Sequence, residues 1–190
     1  MGEGAATKQA LGRALMELTA QKGFDKVSVG QITQACDLGR QSFYYHFQDK
    51  FQLLEWVLHN NAFAPMSNGV TLQNWPARME QMLKEMEDER RFYVAAVKAQ
   101  PDFFAHCLSS VMEPLFESLS DYICAEVPLP LRRKAFGSKF YALGCSAVVT
   151  RWAQAGMRTP AKDLAEDIYM LAKDSEWAAR RIADELSRLE

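Results

Sequence analysis

The chain has 190 residues and a mass of 21.5 kDa, a length that buries roughly 70% of its unfolded surface and needs no disulfide or metal staple to hold a core. With 48% hydrophobic and 24% charged residues and a net charge of −2, disorder and a uniformly basic coat are excluded, so any nucleic acid is met through a local patch. The cysteines at 36, 107, 124 and 145 have neither close pairing nor metal-ligand spacing, so reduced thiols, no metal and no cofactor are expected. There is no apolar run of about 18 residues and the first residues are small and polar, which predicts a soluble, cytoplasmic protein without a membrane partner.

Apolar residues recur at helical spacing throughout, and no stretch sustains the alternation of a strand; the expected class is all-α. The first helix is predicted over 8–21, with Leu11, Leu15 and Leu18 as its stripe and Gly23 as its stop. Ser28 and Gln31 have the spacing of a capping box opening a short helix over 29–36. After a three-residue turn comes a second short helix over 40–45, and a longer one runs from Asp49 to about Asn60. Residues 64–74, with Pro65, Asn68, Gly69 and Asn74, read as a linker. Helices then follow over 75–88, 90–99, 103–125, 131–155, 161–173 and 176–189. Pro114 is expected to kink or split the third of these.

Two short helices joined by a tight turn form the geometry in which the second enters the major groove and the first crosses the backbone. The second helix here presents Arg40, Gln41, Ser42, Tyr44 and Tyr45 within two turns. Arginine pairs bidentately with guanine and glutamine with adenine, while Ser28, Ser42, the tyrosines and Lys50 suit phosphate. Tyr44 fits packing as readily as a phosphate contact, whereas Phe43 and Phe47 read as core and His46 as a packing residue at a helix junction. Residues 1–50 carry six Lys or Arg and five acids, so arrangement rather than charge excess carries the argument.

The stretch 28–50, SVGQITQACDLGRQSFYYHFQDK, resembles the DNA-binding segment of TetR-type transcriptional regulators, most specifically in Phe43-Tyr44-Tyr45-His46-Phe47, then Asp49-Lys50 and Leu53-Leu54. The resemblance covers about 8–60 and implies an N-terminal three-helix domain with a helix-turn-helix, residues 1–50. A larger helical regulatory and dimerisation domain, 51–190 and including the connecting helix, would follow. Asp37 stands where that family commonly has glycine, and Gly39 where Ser or Thr often caps the recognition helix. Cys36, Leu38, Arg40 to Phe43 and Arg91-Phe92-Tyr93 also look like a branch associated with dihydroxyacetone kinase regulation, some of whose members are activators working through a protein partner. The implied function is sequence-specific binding of palindromic double-stranded DNA, controlled by a small-molecule effector or a protein co-regulator.

So small a reading surface requires a homodimer that engages two half-sites. The candidate dimer surface is Phe140, Leu143, Gly144, Ala147, Val148 and Trp152, with Ile168, Leu171, Ile182 and Leu186; periodicity does not separate a self-partner from an internal one. A ligand pocket is expected between the middle helices, from Met82, Met86, Tyr93, Phe104, His106, Cys107, Phe116 and Tyr141, within a wider pool that includes Met79, Val97, Phe103 and Met112. The same residues at this spacing also make ordinary core. No phosphate loop or metal signature occurs, and consecutive His106 and Cys107 diverge on a helix, so no enzyme is expected. The competing function is a helical protein-binding adaptor that keeps the regulator fold without strong DNA affinity.

Overall fold

In the computed structural model, which describes residues 3–67, 69–126 and 131–187, the first stop falls where the sequence puts it. Helix α1 (Glu3–Lys22) ends at Gly23, whose φ of 84° lies in the left-handed region and whose N–H returns to the Thr19 carbonyl at 2.9 Å. The helix begins five residues earlier than its apolar stripe indicated. A 3-10 turn (Phe24–Lys26) buries Phe24 and leads to Ser28. There the capping box is complete: Gln31 N–H donates to Ser28 Oγ at 3.4 Å, and Ser28 N–H to Gln31 Oε1 at 3.1 Å.

Helix α2 (Val29–Ala35) is closed by Asp37, held at φ 55° where an L side chain is strained, with Leu38 N–H returning to Thr33. Helix α3 (Arg40–His46) follows, and α4 (Lys50–Asn60) is capped by Asp49, whose Oδ1 accepts from Phe51 and Gln52 N–H at 2.8 and 2.9 Å. Leu11 and Leu15 of α1, Ile32, Phe43, Phe47, Leu53 and Val57 are buried together. Each such side chain contributes about 1.5–3 kcal/mol on leaving water.

The stretch read as a linker holds a short helix, α5 (Ala64–Ser67), because Pro65 and Met66 are buried and the Ser67 hydroxyl donates back to Phe63 O. Helices α6 (Trp75–Asp88) and α7 (Arg90–Ala99) follow the expected bounds. Helix α8 (Pro101–Glu126) runs on through Pro114 without splitting, and lies along α9 (Leu131–Gln154). The last two expected helices are one, α10 (Ala161–Ser187), packed on α6. Lys173 to Glu176 and Glu176 to Arg180, both at 3.0 Å, bridge the residues taken as a break. Between α9 and α10, Gly156 and Met157 are left-handed, and Arg90 Nη2 fastens the Met157 carbonyl to the start of α7 at 2.8 Å.

One hydrophobic cluster runs from α1 and α4 through Phe63, Met79, Phe92, Val97 and Phe104 into α8 and α9. Helix α1 lies against α7, Gln100 Nε2 donates to Asp25 Oδ1 at 2.9 Å, and Phe51 meets Phe103 edge to face at 5.8 Å. Just past α4, Ala62 N–H donates to the buried Tyr93 hydroxyl at 3.3 Å, and burial pushes that phenol above its ordinary range. Tyr93→Phe leaves the Ala62 N–H without its buried acceptor, so urea unfolding of this variant should show a loss of about 1–3 kcal/mol with little change in slope.

Candidate nucleic-acid interface and the cavities behind it

Phe43 and Phe47 point inward from α3, their rings 5.9 Å apart, and turn the opposite side of the helix to solvent. Arg40, Gln41, Tyr44 and Tyr45 are exposed there, Tyr45 at 85% and Tyr44 at 58%, while Ser42 is half-buried. Tyr44 is edge to face with Phe43 at 5.5 Å, and Tyr45 with His46 at 4.9 Å. The tyrosines are therefore braced at the ring and free at the hydroxyl end. Ser28 is exposed at the start of α2; its oxygen caps Gln31 and its proton remains to donate.

Arg40 bends back over α2. A Cβ built on Gly30 would stand 2.8 Å from Arg40 Nη2, so a bare glycine in the first turn of α2 makes room for the guanidinium. Sequence reasoning missed Gly30; its signal was a glycine directly after an N-cap, where a helix former is expected.

The phosphate role expected of Lys50 needs correction. Lys50 Nζ donates to the carbonyls of Phe24, Asp25 and Val27 at 3.0, 3.2 and 3.0 Å, and sits 4.5 Å from the Phe24 ring centroid. All three protons are engaged, so the side chain ties the first turn of α4 to the turn before α2. Lys26, exposed in that turn, is the cation left to solvent.

A cleft of about 400 Å³ opens between α6, α8, α9 and α10, within the usual range for small-molecule sites. Phe116 and Tyr141 line it, but Met82, Met86, Tyr93, Phe104 and Cys107 are buried in the common core and do not, and His106 is on the exposed side of α8. The α6 stripe of Met79, Met82, Leu83 and Met86 is buried in the core, with α10, α5 and α7 packed on the helix; the cleft forms one turn earlier, at Trp75, beside Tyr169 of α10. A second cavity of about 380 Å³ shares Leu72 with the first and reaches His59 on α4, Thr71, Ser110 and Ser118. Burial pushes the Cys107 thiol up to about 11 and Cys145 up to about 12, so both are protonated and unreactive at neutral pH.

On α9, Phe140, Leu143 and Val148 are exposed, with Gly144 and Ala147 on the same face and Phe136 one turn earlier. Leu171 and Trp177 are exposed on α10, and Ile168 is half-buried against the core. Trp152 does not join this surface: it is buried, its Nε1 donating to Thr159 O at 2.8 Å. An indole buried and bonded to the turn that follows its own helix is internal packing. The side chains of Ile182 and Leu186 lie outside the described residues. Among the described residues no helix is long and apolar enough to cross a membrane, and no three His, Cys, Asp or Glu converge as metal ligands.

The family model "Bacterial regulatory proteins, tetR family" matches residues 12–57, and "Transcriptional regulator C-terminal region" matches residues 73–174. A curated relative, the HTH-type dhaKLM operon transcriptional activator DhaS of Lactococcus lactis, is 24% identical over 87 residues, 46% of each chain. The match thus spans about half the length of that relative. Among solved structures, a dihydroxyacetone kinase operon activator DhaS superposes with TM-score 0.71 at 21% identity, over 91% of this chain and 97% of that one. A tetR-family transcriptional regulator from Streptomyces coelicolor superposes with TM-score 0.57 at 18% identity, over 100% and 97%. These superpositions show the fold.

The Lys50 geometry yields a test. Lys50→Met removes a charged donor from three carbonyls, and hydrogen bonds to charged groups are worth about 1.5–3 kcal/mol; chemical denaturation should show a loss of that size, while Lys26→Met should leave stability within about 0.5 kcal/mol.

Proposed function

Since the chain belongs to the tetR family of bacterial regulatory proteins and is a transcriptional regulator, we propose that α3 enters the major groove of a palindromic operator and that two copies of the chain read its two halves. In this reading residues 1–50 are the DNA-binding domain and 51–190 the regulatory and dimerisation domain. The observation that carries it is the two-sided α3: Phe43 and Phe47 fix the helix from behind, while Arg40, Gln41, Tyr44 and Tyr45 stand in solvent. Gln41 and Arg40 are assigned to base edges, Arg40 positioned over Gly30. Tyr44, Tyr45, Ser42 and the Ser28 hydroxyl are assigned to phosphate, and Lys26 takes the place first given to Lys50.

The dimer surface assigned is the exposed apolar face of α9, Phe136, Phe140, Leu143 and Val148 around Gly144 and Ala147, together with the exposed Leu171 and Trp177 of α10. So much apolar area on two long helices is what a partner of the same chain would cover. A small-molecule effector or protein co-regulator acting on 51–190 would change the separation of the two α3 helices, which must match one helical turn of about 34–36 Å. That mechanism serves repression and activation alike. The cytoplasm, where the DNA is, is the compartment assigned.

Selection of duplexes from random DNA at moderate salt, where non-specific electrostatic binding is suppressed, tests the reading. Wild type should enrich an inverted repeat and the double variant R40A/Q41A should not. Equal enrichment by both would remove α3 from the readout, and no enrichment by folded, dimeric wild type would favour the adaptor. Phe140→Asp together with Leu143→Asp should give a monomer in sedimentation and weaken operator binding by at least about tenfold, since one half-site contact replaces two.

A further inference from the structure

The larger cleft has a distinctive wall. Trp75 of α6, Phe116 and Tyr122 of α8, Tyr141 of α9 and Tyr169 of α10 converge from four helices. Phe116 and Tyr141 are stacked, 5.8 Å apart at 25°, and Trp75 and Tyr169 are paired at 5.7 Å. The charged groups on the wall, Lys173 and Glu176, form a pair at 3.0 Å whose carboxylate also holds Arg180 at 3.0 Å, so both wall charges are already engaged. An ionised ligand would have to break that pair, whereas an uncharged one leaves it intact.

The polar atoms point to hydrogen bonding without charge. Tyr141 donates to Ser175 Oγ at 2.7 Å, and Ser120, also on the wall, shares a hydrogen bond with Ser138 Oγ at 2.9 Å, so each keeps an oxygen that accepts. Stacked ring faces with a few hydroxyls recognise flat π-systems carrying one or two polar atoms. We propose that this cleft is the effector site and that its ligand is an uncharged planar aromatic molecule bearing a hydroxyl, held between the Phe116–Tyr141 and Trp75–Tyr169 pairs. The assignment rests on reading the chain as an effector-controlled regulator. Leu72 is the shared wall with the cavity that reaches His59 of α4, so a ligand that displaces Leu72 bears on the helix connecting the DNA-binding elements to the rest.

Naphthol, naphthoate and octanol separate the three properties claimed: aromatic and neutral, aromatic and charged, neutral and aliphatic. Calorimetric titration of the full-length protein should show naphthol binding at least about tenfold tighter than either of the others, a difference of about 1.4 kcal/mol. Ala172→Trp fills the cleft from α10 and should abolish naphthol binding, and Ser120→Ala, which changes no shape, should weaken it severalfold; each variant's melting curve checks that it is folded. Naphthol should also change the affinity for the selected operator. Naphthoate or octanol binding as tightly as naphthol, binding undiminished in a folded Ala172→Trp, no binding of naphthol, or binding without effect on DNA affinity would each overturn the proposal. If wild type selects no DNA but the calorimetric pattern holds, the regulator reading fails and the ligand site stands.

Discussion

Helices of seven residues do not persist alone in water, where even favourable sequences shorter than about 12–15 residues are marginal. Helices α2 and α3 each have seven residues, so their existence depends on burying Ile32, Phe43 and Phe47. That burial needs α1 and α4 on the other side, with Leu11, Leu15, Leu53 and Val57. The polar face of α3 is thus a by-product of an apolar constraint. Whatever shifts α1 or α4 shifts the exposed residues of α3.

The supports of α3 continue into the rest of the molecule. Lys50 gathers three carbonyls around the first turn of α4 and fixes how the chain enters α2. At the far end of α4, Ala62 is held by Tyr93 of α7, the helix against which α1 lies. The start of α7 in turn holds the α9–α10 turn through Arg90 and Met157. A packed chain of this kind transmits displacement because close-packed interiors move as units rather than yielding continuously.

Much of this was legible in sequence because the signals were local. The Ser28–Gln31 box, the Gly23 stop, the Asp49 cap and the period of the α6 and α7 stripes are all near-neighbour effects. The side chains assigned to DNA by sequence are exposed except for Ser42 and Lys50, both half-buried, and Lys50 is diverted by partners more than 20 residues away. Composition cannot show that a lysine has all its protons engaged. The pocket was the least legible part, since Met82 and Phe116 have the same apolar character and only the packing of the helices puts one in the core and the other on a cavity wall. Trp152 failed for the same reason: its place on α9 matched the exposed stripe, and its hydrogen bond to Thr159 depends on a turn the periodicity does not describe. The merged α10 shows the converse, as ion pairs three and four residues apart carried helix through Asp174 and Ser175.

The central claim is that α3 has no stability apart from the core it shares with α7. Native-state hydrogen exchange on the intact chain tests it directly, comparing the Phe47 amide, bonded to the Phe43 carbonyl at 2.9 Å, with that of Gln100, bonded to Ala96 at 2.9 Å. If the account holds, both amides open with a steep urea dependence and converge on the global unfolding free energy. A Phe47 amide that exchanges through its own opening, indifferent to urea, while Gln100 follows global unfolding would contradict it.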